Sequence, residues 1–118
     1  MKYLLLIHGD ESTMNTAPTV GDSGMSAEFG AFHNALAKSG AHLGGERLRP
    51  TTEARSVRVR DGKAVVLDGP YAETQEQLGG YYLIDVPDMD AALEWAKQCP
   101  SARGGTIEVR PVWPTRGA

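Results

Sequence analysis

The chain has little cysteine and no long apolar segment. Its 118 residues include one cysteine, Cys99, which excludes an internal disulfide and a paired-cysteine metal site. No stretch approaches the roughly 20 consecutive apolar residues that span a bilayer. The apolar run at residues 2–7 is too short for a signal peptide and ends at a polar segment. These features predict a cytoplasmic protein that does not enter a membrane.

Positive charge is also scarce. The chain has 12 Lys and Arg against 15 Asp and Glu, a net charge of −3. Nucleic-acid binding needs a concentrated positive surface, so the balance predicts no nucleic-acid partner. The three histidines have no paired metal-ligand spacing, and no phosphate-binding or dinucleotide-binding glycine motif is present. The sequence therefore predicts no metal site and no cofactor.

What remains is the composition of one ordinary folded domain. The apolar content of 41% and charged content of 23% are typical of globular proteins. The length predicts a single domain over residues 1–118. Such a chain buries about two-thirds of its unfolded surface and needs no disulfide or metal to fold.

Hydrophobic periodicity predicts six strands and two helices. Ser26 is the expected cap of the first helix, which Gly40 ends. Asp88 is the expected cap of the second helix, over residues 89–98. Residues 9–24 are predicted as a loop, and residues 71–78 as a short helical turn. The predicted strands are residues 2–8, 42–48, 56–60, 64–67, 81–86 and 106–110, with an Asp61-Gly62 hairpin turn between the third and the fourth.

This order predicts an α+β, ferredoxin-like split βαβ fold with an inserted β-hairpin, an antiparallel sheet and two helices on one face. The first strand is apolar on both faces, at Tyr3, Leu5 and Ile7 and also at Leu4 and Leu6. Two helices cover only one face of a sheet. A second copy packed sheet to sheet is expected to cover the other face, which predicts a homodimer.

Seven segments form a recognisable set: residues 2–7, Gly9-Asp10-Glu11, Gly44-Gly45-Glu46, residues 57–63, residues 68–71, residues 79–82 and Glu108-Val109-Arg110-Pro111. Together they resemble the YCII-related family. The likeness is to the branch named for a DGPF motif, with Tyr71 in place of the phenylalanine, and it extends from Lys2 to Trp113. The resemblance implies a dimeric α+β barrel, similar in fold to muconolactone-isomerase-like enzymes that use no cofactor.

The resemblance also implies a catalytic His–Asp pair, with the histidine on the first helix and the aspartate on a later strand. Asp68 matches the aspartate, whereas Phe29 stands at the histidine position. His33 lies one helical turn later on roughly the same face, and His8 ends the first strand. We therefore take Asp68, His33 and His8 as the candidate catalytic residues.

Each candidate has a structural alternative. Asp68 is either a general acid or base, or a turn residue that accepts backbone N–H bonds ahead of Gly69-Pro70. Arg58 belongs either to an anion-binding patch or to a solvated ribbon. The aromatic candidates line either a ligand cleft or the core and dimer interface. The candidate ligand-binding residues are Tyr71, Tyr81, Tyr82, Phe29 and Arg58.

Two functional hypotheses follow. The first is a small-ligand protein that acts as a cofactor-free lyase or isomerase, with its site between the sheet and the first helix and Asp68 as the proton-transfer group. The second is a non-catalytic dimeric module that binds a metabolite or a protein. The resemblance links this second hypothesis to transcriptional regulation, because some members of the branch are encoded beside sigma factors. Phe29 at the histidine position favours the second hypothesis.

Overall fold

The computed structural model describes residues 1–14, 26–72 and 74–115. Within them, two short 3-10 helices lie at Thr51–Glu53 and Pro100–Arg103. The α-helices are α1 (Glu11–Met14), α2 (Ala27–Lys38) and α3 (Met89–Gln98). The strands are β1 (Lys2–Gly9), β2 (His42–Arg47), β3 (Arg55–Arg60), β4 (Lys63–Asp68), β5 (Gln77–Asp85) and β6 (Thr106–Pro111).

The described strands form two separate sheets. Four of them make the main sheet in the order β2-β5-β1-β6, and every neighbouring pair is antiparallel. Strands β3 and β4 form an antiparallel pair of their own, hereafter the ribbon. Helices α1 and α2 lie between β1 and β2 in the chain, and α3 lies between β5 and β6. This arrangement confirms the predicted ferredoxin-like α+β fold with an inserted hairpin.

One face of the main sheet packs against α2 and α3. Alternate residues of β1 point to that face, and Leu5 among them is 0% exposed. The residues between them point to the opposite face and are partly exposed. We call this opposite face the open sheet face. Its residues on the paired strands include Leu4, Leu6, His8, Tyr81, Leu83 and Glu108.

The long helices begin at the predicted caps. The Ser26 hydroxyl accepts a hydrogen bond from the Phe29 N–H at 3.2 Å, and Asp88 accepts one from the Ala91 N–H at 2.9 Å. Each such cap stabilises the fold by about 1 kcal/mol. Gly40 follows α2 with φ of +82°, a conformation that glycine adopts without strain. Both helices therefore lie where the sequence predicts them.

The predicted loop at residues 9–24 was wrong at its beginning. Strand β1 continues through Gly9, and α1 follows at once. The Asp10 carboxylate accepts hydrogen bonds from both the N–H and the hydroxyl of Ser12, at 2.9 and 2.7 Å. These bonds lower the pKa of Asp10 and supply the cap that starts α1. Residues 15–24 of the predicted loop lie outside the described residues.

The predicted helical turn at residues 71–78 was also wrong. The described residues of this segment are not helical, and β5 already begins at Gln77. Gly79 and Gly80 lie within the strand rather than before it. A Cβ at Gly80 would lie 2.8 Å from the Glu46 carbonyl oxygen on β2. Glycine is needed there because the two strands approach closely.

The ribbon has the predicted hairpin turn, but its side chains are not buried against the other described elements. Asp61 and Gly62 have φ of 52° and 77°, as a two-residue hairpin turn of the favoured hand requires. Val57 is 66% exposed and Val66 is 60% exposed. Among the described residues of the ribbon, none is buried. The ribbon therefore forms a sheet of its own that the other described residues leave exposed.

Candidate functional site

His8 lies near the carboxyl end of β1, on the open sheet face. Its cross-strand neighbours are Leu78 on β5 and Thr106 on β6. The register with β5 shifts between Ile7 and His8, which marks an irregularity of the strand at this point. A Cβ at Gly105 would lie 2.2 Å from the His8 carbonyl oxygen. The backbone of His8 is thus enclosed by its neighbours on both sides.

Glu108 provides His8 with a carboxylate partner. Nε2 of His8 lies 3.5 Å from Oε1 of Glu108, and the two side chains are 27% and 39% exposed. Nε2 is itself screened from solvent, and within the described residues it has no hydrogen-bond partner. The separation of 3.5 Å is short enough for an ion pair, which depends on distance alone, whereas a hydrogen bond also requires alignment of the two groups. The pair therefore retains hydrogen-bonding capacity that the fold does not use.

Further polar groups lie along β6 beside this pair. Nη2 of Arg110 donates a hydrogen bond to Oε2 of Glu108. The hydroxyl of Thr106 donates one to Oε1 of Glu76 at 2.7 Å. Glu108 consequently lies between a histidine and an arginine, and each of its two carboxylate oxygens faces one of them.

Apolar side chains adjoin the His8–Glu108 pair. Leu6 lies directly opposite Tyr81 on β5 and Glu108 on β6, and Leu4 lies opposite Leu83. These four apolar side chains are partly buried. An apolar surface with a few convergent polar groups is typical of small-molecule sites. The open sheet face combines both features around His8.

His33 lies on the other side of the main sheet, in a cluster of rings. Its centroid is 4.8 Å from that of His42 and 6.1 Å from that of Tyr82, and the His42 and Tyr82 centroids are 5.8 Å apart. His42 is half-buried against these rings. Phe29, one helical turn before His33, is partly buried against the core. Burial raises the pKa of the Tyr82 phenol, with a smaller contribution from the Cys99 thiol, so this hydroxyl stays protonated at neutral pH.

Asp68, Arg58 and Tyr71 belong to the ribbon and to the segment that follows it. The Asp68 side chain is 93% exposed, and Oδ1 lies 3.9 Å from Nη1 of Arg55. The Arg58 guanidinium lies over the Tyr71 ring, 4.7 Å from its centroid, a cation–π contact. Within the described residues, no hydrogen bond or ion pair joins Asp68 to a histidine.

The candidate residues thus fall into three places in one chain. His8 and Tyr81 lie on the open sheet face, His33, Tyr82 and Phe29 lie on the helix side, and Asp68, Arg58 and Tyr71 lie at the ribbon. Sequence reasoning did not select Glu108 or His42. The alternation of Thr106–Pro111 was a signal for Glu108, because it places Glu108 and Thr106 on one face of the last strand.

The described residues contain neither a membrane-crossing helix nor a metal-binding cluster. Every helix there is too short or too polar to cross a lipid bilayer. Within the same ranges, no group of three or more His, Cys, Asp or Glu side chains is arranged to bind a metal ion.

Comparison with known proteins places the chain in a family. The family model of the YCII-related domain matches residues 1–116. The chain belongs to the YCII-related family. An uncharacterized protein of Rhizobium meliloti (strain 1021) is 37% identical to this YCII-related protein over 114 residues, covering 95% of this chain and 92% of that relative. The family suggested by the sequence is therefore confirmed.

Proposed function

We propose that this YCII-related protein binds a small organic ligand on the open sheet face and catalyses a proton transfer without a cofactor. The observation that supports the proposal is the His8–Glu108 pair, with Nε2 unpartnered at 3.5 Å from the carboxylate. Imidazole changes its charge near neutral pH and is the most frequent general acid or base. A nearby carboxylate stabilises the imidazolium that forms when the ring accepts a proton.

The reaction we propose is the isomerisation of an enolisable carbonyl compound. Nε2 of His8 accepts a proton from the carbon next to the carbonyl, and the electron pair of that C–H bond forms the enolate. In a substrate whose enolate is conjugated with a C=C bond, a proton from the imidazolium then adds to the far carbon of that system and the double bond shifts, which yields the isomer and the free imidazole. Glu108 stays beside the ring, held by the hydrogen bond that Arg110 donates to its other oxygen, and stabilises the imidazolium. Leu6 and Tyr81 supply apolar contacts to the ligand.

Asp68 enters this proposal as a second proton-transfer group, as the motif at residues 68–71 suggests. Its side chain is 93% exposed among the described residues of one chain, and we propose that a second copy encloses it. We include a homodimer in the proposal, with the open sheet faces of two copies turned towards each other. Leu4, Leu6 and Leu83 are apolar and only partly covered within one chain, which favours this arrangement.

A non-catalytic binding module is the second candidate function. The observation in its favour is Phe29, which stands where the resemblance implies a histidine and packs against the core. Asp68 also lacks a histidine partner within the described residues. On this view the ring cluster of His33, His42 and Tyr82 is the other place for a ligand, on the helix side of the sheet.

A thermal-shift screen with small keto acids, lactones and other enolisable carbonyl compounds tests the proposal. Compounds that bind the native state raise its melting temperature. Each compound that does so is then incubated with the protein in D₂O, and deuterium incorporation next to its carbonyl is followed by NMR. We expect the wild type to catalyse this exchange and His8→Gln to lose it. Glu108→Gln is expected to slow the exchange by about 10²–10⁴-fold, the usual contribution of acid–base assistance.

Two control variants make the result specific. Glu53→Gln removes an exposed carboxylate that pairs with an arginine elsewhere on the surface, and it is expected to exchange at the wild-type rate. His33→Gln changes the ring cluster on the helix side of the main sheet and leaves the open sheet face unaltered. Loss of exchange in His33→Gln with full exchange in His8→Gln would overturn the site on the open sheet face. Ligands that stabilise the protein without any exchange would favour the binding module.

A further inference from the structure

The open sheet face changes in charge from one end to the other. Alternate residues of β1 point to this face, and Lys2 is among them. On β6, Arg110 lies opposite Leu4. His8 thus lies at one end of the face, two leucines follow along β1, and the cations Lys2 and Arg110 lie at the other end.

The Arg110 guanidinium has hydrogen-bond donors that the fold does not use. It is 68% exposed, and within the described residues its one partner is the Glu108 carboxylate. A guanidinium carries five N–H donors in a planar fork, and the bond from Nη2 to Glu108 uses one of them. The remaining donors can bind a second carboxylate, because the planar fork presents more than one edge to its acceptors.

Lys2 adds a second positive charge at the same end. Asp85 lies opposite Lys2 on β5, but its carboxylate pairs with the amino group of Met1 at 2.7 Å. Among the described residues, the Lys2 ammonium has neither an ion pair nor a hydrogen bond. Lys2 and Arg110 are diagonal neighbours on adjacent strands, about 7–8 Å apart at the backbone. An anion bound at the guanidinium therefore also lies close to the ammonium.

The distance between the two ends of this face suits a small molecule. Nε2 of His8 lies 3.5 Å from Oε1 of Glu108, and Arg110 donates to the other oxygen of the same carboxylate. Since an N–H···O bond is about 3 Å long, the path from Nε2 through the carboxylate to Nη2 is no longer than about 9 Å. Leu4 and Leu6 lie beside this path on the neighbouring strand. One small molecule can therefore contact the imidazole, the leucines and the guanidinium together.

We infer that the ligand of the open sheet face is a keto acid, whose carboxylate binds the Arg110 guanidinium while the C–H next to its carbonyl faces Nε2 of His8. This inference rests on the proposed function and specifies its substrate class. Arg110 determines the specificity for the acid, and Lys2 adds to the attraction. A neutral analogue lacks the charge-assisted contact and binds more weakly.

Glu108 sets the orientation of such a ligand. Its negative charge disfavours a second carboxylate directly beside His8. Arg110 holds Glu108 with one edge, so the ligand carboxylate binds at another edge and the carbonyl end of the ligand is directed to His8. The acid and the proton-transfer group are thereby kept at opposite ends of the apolar surface.

Matched acids and amides test the inference. The probes are 4-oxopentanoate, 5-oxohexanoate and 7-oxooctanoate, each beside its primary amide, which keeps the ketone and loses the charge. Calorimetric titration of the full chain measures the dissociation constants, and NMR measures deuterium exchange next to the ketone. We expect the wild type to bind the best acid about tenfold or more tightly than its amide, as a charge-assisted contact provides. The kcat/KM for exchange is expected to show the same preference.

Arg110→Gln is the decisive variant, because the acid-to-amide ratio isolates the carboxylate contact. Arg110 also holds Glu108, so its loss slows exchange of both probes by one factor, which cancels in the ratio. We expect the ratio to fall to about one in Arg110→Gln and to recover partly in Arg110→Lys. Lys2→Gln is expected to lower it by about threefold or less. Arg60→Gln removes an exposed guanidinium of the ribbon, which donates to the Val59 carbonyl, and is expected to keep the wild-type ratio.

The outcomes separate this inference from the proposed function. A wild type that binds the acids no more tightly than the amides, or binds none of them, overturns the acid substrate class, while proton transfer by His8 is tested by its own screen. A preference that survives in Arg110→Gln overturns the assignment of the carboxylate to this residue. Acid binding that depends on Arg110 without any exchange supports the acid site and overturns the proton transfer.

Inorganic phosphate distinguishes a keto acid from a simple anion. It makes no apolar contact with Leu4 and Leu6, so we expect it to bind more weakly than the best acid. Phosphate binding at Arg110 as tight as that of the acids overturns the keto acid as the ligand. Urea unfolding of each variant confirms that the variant is folded.

Discussion

The main sheet and the ribbon have similar alternating strands but opposite degrees of burial. Leu5 in β1 is 0% exposed, whereas Val57 in β3 is 66% exposed. Both strands direct alternate residues to opposite faces, as any strand does. Two helices cover one face of the main sheet, and no described element covers the ribbon. Alternation thus defines the faces of a strand, and the covering elements decide which face becomes core.

Truncating one leucine in each region gives the largest expected contrast. Leu5→Ala is expected to lower the free energy of unfolding by about 2–5 kcal/mol, because it leaves a cavity in the close-packed core. Leu67→Ala, in the exposed ribbon, is expected to change the free energy of unfolding by about 0.5 kcal/mol or less. Urea unfolding of both variants measures the difference. Equal losses would show that the ribbon is packed as firmly as the main sheet.

Glycine substitutions test whether the two regions unfold together. Gly80→Ala places a Cβ 2.8 Å from the Glu46 carbonyl oxygen, and the strain is expected to cost about 1–3 kcal/mol of global stability. Gly62→Ala forces a left-handed turn residue to carry a side chain, at a cost of about 1 kcal/mol. We expect this second loss to appear only as faster hydrogen exchange at residues 55–68. A matching fall in the global melting temperature would mean that the ribbon and the main sheet are cooperative.

Two tyrosines extend the comparison to alkaline pH. Burial raises the pKa of Tyr82, so the folded state holds this proton more tightly than the unfolded state, whose value is about 10. The stabilisation is fully present below that value and is lost as the pH rises towards the folded-state pKa. Tyr82→Phe is therefore expected to flatten the alkaline loss of stability, while the contribution of Cys99, whose pKa is also raised by burial, remains. Tyr71→Phe, at an exposed ring, serves as the control, and urea midpoints between pH 8 and pH 11 measure both. Identical profiles for the two variants would contradict the burial of the Tyr82 phenol as the cause.

Local chemistry made much of the fold predictable. Ser26 and Asp88 were recognised as caps from their own side chains and the helical pattern that follows, and both caps are present. The Asp61-Gly62 turn follows from the conformations that these residues adopt readily. Gly79 and Gly80 were misplaced because glycine is usually a sign of a strand end. Their place within β5 depends on the approach of β2, a contact between distant segments that local patterns do not contain.

The candidate site was less predictable for the same reason. His8 and Glu108 are 100 positions apart in the sequence, and the pairing of β1 with β6 brings them together. The contact between His42 on β2 and His33 on α2 likewise depends on how the helix packs on the sheet, which local patterns do not contain. Asp68 was selected from a motif, and the motif alone does not say whether its strand lies over a sheet or apart from it.

The ribbon also sets conditions for keeping the protein in solution. Among the described residues, neither outer edge of the ribbon has a strand neighbour, and the ribbon's valines favour addition of another strand. Arg58, Arg60 and Lys63 oppose that addition, because ribbons of separate molecules bring like charges together. Salt screens this repulsion. Concentrated stocks are therefore expected to stay clear at low ionic strength, and to become turbid first where salt removes the protection that these three side chains provide.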